Sequence, residues 1–218
     1  MNKRKQKKEN GILLFGGTFD PIHNGHLIIA RSVAEKLQVQ EVIVIPSANP
    51  PHKGKKSITA AEHRLVMVYL AVRNDELFEV SDCELLRSGP SYTLDTVRFF
   101  RELCGPEAVL YWLIGADSIS DLVGWYKVGQ LVDECTVVTA RRPGCDWGDL
   151  SVLQTVLNDE QIARLKDNVM DTPEVDISAT EIRQRVNAGL SIGDLVPPEV
   201  CAYIAQHGLY RGNSKSVK

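Results

Sequence analysis

A single layered α/β domain around a mostly parallel sheet is the fold expected of this 218-residue chain. Three features carry that expectation. Short β-rich apolar runs alternate with longer segments of helical period. Most of the runs are almost wholly apolar, as strands must be when helices cover both faces of their sheet. The length suits one sizeable core, and 44% hydrophobic with 24% charged residues is ordinary for a globular protein.

The first strand is expected over 12–15 (Ile-Leu-Leu-Phe), ending at Gly16-Gly17, which permit a tight turn with no side chain in a ligand's way. A helix over 26–37 follows, then a strand over 42–45 (Val-Ile-Val-Ile). The next helix, 60–72, starts where Thr59 and Glu62 stand at capping-box spacing. Further strands are expected at 77–80, 109–114, 136–139 and 174–177, with a helix over 93–103. Ser178 and Glu181 repeat the capping-box spacing ahead of a helix over 181–188, and a last helix spans 198–206. The stretches 49–56 and 141–148 are expected as loops, and no internal repeat interrupts the pattern. The domain is thus placed at 11–210, between a disordered basic tail (1–10, with Lys3, Arg4, Lys5, Lys7 and Lys8) and a flexible C-terminal tail, 211–218.

Composition narrows the function. The formal net charge is −3, and the basic tail is only ten residues long, so no nucleic-acid partner is expected. The five cysteines (Cys83, Cys104, Cys135, Cys145 and Cys201) are odd in number, scattered, and form no CxxC pair. They read as reduced thiols rather than a disulfide framework or a zinc site. No apolar run approaches the ~20 residues needed to span a bilayer, and the short run after the tail is no signal peptide. A soluble, cytoplasmic protein with no membrane partner is expected.

In parallel sheets ligands collect beyond the carboxyl ends of the strands, which directs attention to the segments after Phe15, Ile45, Ile114 and Ile177. After the first strand come Gly16, Gly17, Thr18, Phe19, Asp20, Pro21, Ile22, His23, Asn24, Gly25 and His26. A helix opening near Gly25-His26 offers backbone amides and a favourable dipole to a phosphate. His23 and His26 stand three apart, so one helical turn can aim both imidazoles together at a phosphoryl centre. On spacing alone they could equally be surface residues or two ligands of a metal. At Ser178-Ala179-Thr180-Glu181-Ile182-Arg183 two hydroxyls and a guanidinium gather on a helix start, which can be a plain cap, an anion site, or both.

The string GGTFDPIHNGH resembles the nucleotidylyltransferase superfamily signature GxFDPxHxGH at every diagnostic position. Residues 177–183 resemble its second signature, ISSTxIR, with Ala179 in place of the middle serine. Three further segments resemble bacterial nicotinate-nucleotide adenylyltransferases: 46–53 (PSANPPHK), 91–96 (SYTLDT), and 114–118 (IGADS) followed by Trp125-Tyr126. So does the stretch from Val196-Pro197-Pro198 to Gln206-His207-Gly208-Leu209-Tyr210, and the resemblance runs from about Ile12 to Tyr210.

The resemblance implies a single Rossmann-like, doubly wound domain. It also implies the joining of nicotinate mononucleotide to the AMP part of ATP, with release of pyrophosphate and formation of deamido-NAD. Catalysis would fall to His23, His26 and Arg183. ATP would lie against Gly16, Gly17, Thr18, Phe19, His23, His26, Gly115, Asp117, Ser178, Thr180 and Arg183. The acceptor would meet Asn49, Lys53, Tyr92, Thr93 and Trp125, with Trp125 against the ring and the 92–93 helix start receiving its carboxylate. The protein would supply no metal ligand, and Mg2+ would ride on the ATP phosphates. A sibling acting on nicotinamide mononucleotide, phosphopantetheine or glycerol phosphate is the alternative within the superfamily. A nucleotide-sensing or nucleic-acid-binding protein is the alternative outside it.

Overall fold

A computed structural model describes residues 11–50, 58–141 and 150–211. Six strands form one sheet in the order β3-β2-β1-β4-β5-β6, and every neighbouring pair is parallel. They are β1 (Gly11–Gly17), β2 (Glu41–Pro46), β3 (Phe78–Val80), β4 (Val109–Gly115), β5 (Thr136–Arg141) and β6 (Val169–Asp171). The chain winds outward from β1 to β3, crosses back to lay β4 on the other side of β1, and winds outward again to β6. This is the doubly wound order, and its reversal lies between β1 and β4.

Strand side chains alternate between the two faces, and here both faces are core. On one face lie Leu14, Ile43, Ile45, Leu110, Trp112 and Val137, covered by α4 (Thr93–Cys104), α5 (Val128–Glu134) and α6 (Asp159–Asp167). On the other lie Leu13, Val42, Val44, Leu113 and Val138, covered by α1 (Asn24–Leu37), α2 (Ala61–Val72), α7 (Ala179–Asn187) and α8 (Pro198–His207). A single turn of helix, α3 (Cys83–Leu86), follows β3.

Four expectations are corrected. Gly16 and Gly17 are the last residues of β1, in register with Ile45 and Pro46, and make no turn. The sixth strand is β6 at Val169–Asp171, not 174–177. The Thr172 amide extends the β5 ladder by one bond to the Arg141 carbonyl (2.8 Å), but Pro173 has no N–H to continue it. Thr59 does not cap α2: Ala60 stands at the N-cap, and the Thr59 amide and carbonyl are engaged elsewhere. The Ser178 hydroxyl does cap α7, accepting from the Glu181 amide, but the Glu181 carboxylate pairs with Arg185. The helices α3, α5 and α6 were not expected. They are short, with two or three core-facing residues each, too few to show a period.

The basic tail, the loop residues 51–57 including Lys53, the segment 142–149 including Cys145, and 212–218 lie outside the described residues. The four described cysteines are free thiols, and burial pushes Cys135 up to about 12. Among the described residues no helix is long and apolar enough to cross a membrane.

Candidate active site

A cleft of about 870 Å³ opens at the carboxyl ends of the central strands. Its floor is the strand-order reversal, where the ends of β1 and β4 send their loops apart. The β1 loop, the start of α4, the turns after β4 and the start of α7 all contribute to its walls.

His23 is the N-cap of α1, with extended backbone, and His26 is its third helical residue. Their rings stack with centroids 3.6 Å apart and planes 25° off parallel. The His23 backbone N–H donates to His26 Nδ1 at 3.2 Å. That bond assigns the His26 proton to Nε2, leaving an N–H donor on the far side of the ring. Phe19 supports the pair from below. It has a left-handed φ of 48°, and its buried ring meets His26 edge-on at 5.1 Å. Burial lowers the His23 pKa to about 4, so this imidazole is neutral at pH 7. Its Nδ1 is buried with no hydrogen-bond partner. A Cβ on Gly25 would stand 3.1 Å from that nitrogen and 3.2 Å from Val175, tighter than side chains ordinarily pack.

Space, rather than a turn, explains the glycines at the strand ends. A Cβ on Gly16 would enter the Trp112 ring, and one on Gly17 would stand 2.8 Å from the ring of Phe19. At Gly115 the same volume is taken by the Asp117 carboxylate, which is folded back on it. Gly115 and Asp117 both line the cleft.

The β1 loop is fixed by polar contacts from residues outside both signature strings. Arg64, 1% exposed, donates from Nη1 to the Thr18 carbonyl (2.7 Å) and from Nε to the Thr59 carbonyl (2.8 Å). Burial lowers the pKa of this guanidinium, and the Asp20 carboxylate opposes that shift. Asp20, 7% exposed, accepts from the Tyr210 hydroxyl at 2.7 Å and from the Thr59 amide at 3.3 Å. One signal was available in the sequence: Arg64 shares a helical face with the buried Met67, Val68 and Val72, where a charge is out of place. Tyr210 closes a stretch that resembles the family, but nothing in that stretch points to Asp20.

Arg183 reaches back from α7 to the same loop. Its Nη1 donates to the Asp20 carbonyl (2.7 Å) and its Nη2 to Thr180 Oγ1 (3.0 Å). Ser178, Ala179 and Arg183 line the cleft. Thr180 is not in its lining and instead holds the guanidinium.

At the other end Tyr92 is the N-cap of α4, no side chain caps that helix, and Tyr92, Thr93 and Trp125 face the cleft. Tyr126, not selected from sequence, stacks on Tyr92 at 4.3 Å and 20°. Trp125 also packs against the core. Behind them Glu84, 4% exposed, accepts from the Thr96 hydroxyl at 2.7 Å, while Arg87 donates to the same hydroxyl. Asn49 is absent from the lining. Its amide donates to Ser91 Oγ and its carbonyl accepts from the Ser91 amide, tying the β2 loop to the start of α4. Among the described residues no group of three or more His, Cys, Asp or Glu could hold a metal ion.

A cytidylyltransferase-like family model matches residues 14–185. A Thermoanaerobacter sp. (strain X514) protein named probable nicotinate-nucleotide adenylyltransferase is 37% identical over 213 residues, covering 96% of this chain and 99% of the relative. A protein of the same name from Neisseria meningitidis serogroup B is 42% identical over 90% of this chain and 96% of its own length. The fold is shared with Plasmodium falciparum nicotinic acid mononucleotide adenylyltransferase complexed with NaAD: TM-score 0.70, 23% identity, 92% of this chain and 97% of that one. The chain therefore belongs to the cytidylyltransferase-like family and, within it, to the nicotinate-nucleotide adenylyltransferases.

Proposed function

We propose that this protein transfers the AMP part of ATP to nicotinate mononucleotide, yielding deamido-NAD and pyrophosphate. The observation that carries the proposal is that one cleft joins two unlike ends. At one end are the stacked His23 and His26 and the Arg183 guanidinium, all suited to phosphates. At the other is an uncapped helix start flanked by the stacked Tyr92 and Tyr126 and by Trp125.

The two ends suit different halves of the reaction. A phosphoryl centre gains charge on its equatorial oxygens as the acceptor phosphate attacks in line. The His26 Nε2–H and the remaining Arg183 donors can stabilise that charge. His23, neutral at pH 7, would act through a hydrogen bond rather than a charge. The acceptor supplies the nucleophile, so no serine or cysteine is needed for attack. Magnesium would arrive on the triphosphate and neutralise charge there. Asp117, Ser178 and the β1 loop would flank the adenylate half. Thr180 would act only by holding Arg183. The flat pyridine ring would lie among the aromatics, and its carboxylate would face the α4 amides, where the helix dipole favours an anion.

Purified protein with Mg2+ and ATP should release pyrophosphate on addition of nicotinate mononucleotide. No release would overturn the proposal. A higher kcat/KM for nicotinamide mononucleotide would transfer the assignment to the amide-using sibling.

A further inference from the structure

Tyr210 sits at the end of the domain, 190 positions from the residue its hydroxyl meets. The chain arrives there by two left-handed steps after α8, Gly208 at φ 60° and Tyr210 at φ 63°. A tyrosine gains nothing locally from that backbone. What it gains is the contact: the hydroxyl is 2.7 Å from Asp20 Oδ1. Burial, with the Asp20 carboxylate second, raises the Tyr210 pKa far above the usual range, so the hydroxyl remains a donor at every working pH. Asp20 is held on its other oxygen by the Thr59 amide, and its own carbonyl accepts from Arg183.

We infer that Tyr210 and Asp20 are positioning residues for Arg183, and that the tyrosine at the far end of the chain aims the guanidinium which faces the phosphates. The hydroxyl fixes the Asp20 side chain, the fixed residue presents its carbonyl in one direction, and that carbonyl together with Thr180 leaves Arg183 one orientation. None of the three bonds touches substrate through Tyr210. The effect of losing its hydroxyl must therefore pass through Arg183.

This inference rests on the transferase activity proposed above, and a double-mutant cycle tests it. Tyr210→Phe is expected to lower kcat about tenfold and to leave KM for the mononucleotide within twofold, at temperatures where circular dichroism shows the variant folded. In an Arg183→Lys background, adding Tyr210→Phe should change kcat less than twofold, since the group it aims is already gone. Multiplying effects, or wild-type kcat in the folded Tyr210→Phe single variant, would overturn the inference. If Tyr210→Phe does not fold, Asp20→Asn, which keeps an oxygen for the hydroxyl, should retain at least tenfold more kcat than Asp20→Ala; equal loss in both overturns it. If the wild-type protein makes no deamido-NAD, the substrate assignment fails on its own, and the cycle is read instead in ATP affinity by calorimetry. There Tyr210→Phe should weaken binding only while Arg183 is present; weakening independent of Arg183, or none, overturns the inference.

Discussion

With Nδ1 of His26 occupied by the His23 amide, the bond proposed from this ring to a phosphate must come from Nε2–H, so its contribution is a single hydrogen bond. Removing one such donor at a centre of developing charge costs about 10²–10³-fold in kcat. His26→Ala should fall in that range by pyrophosphate release, with little change in unfolding midpoint; near-wild-type turnover would remove His26 from the chemistry. Gly16 makes a different residue-scale case. Its neighbour Trp112 is buried in the core and stands where a Cβ would go. Gly16→Ala should therefore destabilise the fold by about 1–3 kcal/mol, the usual range for overpacking, as read by urea denaturation. Equal stability would mean that the indole can move aside. His23, His26 and Arg183 were legible as neighbours in one cleft because they sit in two contiguous strings that resemble the family signatures. Arg64, Tyr126 and Tyr210 were not, because their partners Thr18, Tyr92 and Asp20 lie far away in sequence and only the fold brings them together.

Among the elements, β1, β2, β4 and β5 were legible because a strand buried on both faces must be an unbroken apolar run. β6 was not, since its three residues at the sheet edge are only partly covered and the chain beyond it copies strand alternation without a partner. The helix α6 shows how a local rule can hold yet be missed. Asn158 Oδ1 accepts from the Gln161 amide at 2.9 Å, and Gln161 Oε1 accepts from the Asn158 amide at 3.0 Å. This is a reciprocal capping box spelled with Asn and Gln instead of Thr or Ser with Glu. The helix it starts packs Ile162 and Leu165 into the core on the α4 side of the sheet, away from the β1 loop. Asn158→Ala should cost about 1 kcal/mol, or roughly 2–4 °C in Tm for a chain of this size. Turnover at 25 °C should be unchanged. A loss of activity without a loss of stability would show that α6 matters to the site in some way its packing does not reveal.

At the scale of the whole molecule, the cleft and the fold share the burial of His23. The ring is buried at the start of α1, whose first residue donates its amide to the Leu195 carbonyl ahead of α8. The folded pKa is about 4 against 6.5 for an unburied histidine. Between those values the unfolded chain binds a proton that the folded chain refuses. Stability must therefore fall as pH drops from 6.5 toward 4, and His23 contributes no slope above that window. The full excursion corresponds to about 3 kcal/mol, of which roughly 2 is lost by pH 5. Urea midpoints between pH 7.5 and 5 should decline more steeply for the wild-type protein than for His23→Gln, whose amide binds no proton. Parallel curves would mean that His23 charges freely in the folded state. In that case the neutral-donor role assigned to it at the phosphate would have to give way to a cationic one, because the same burial accounts for both.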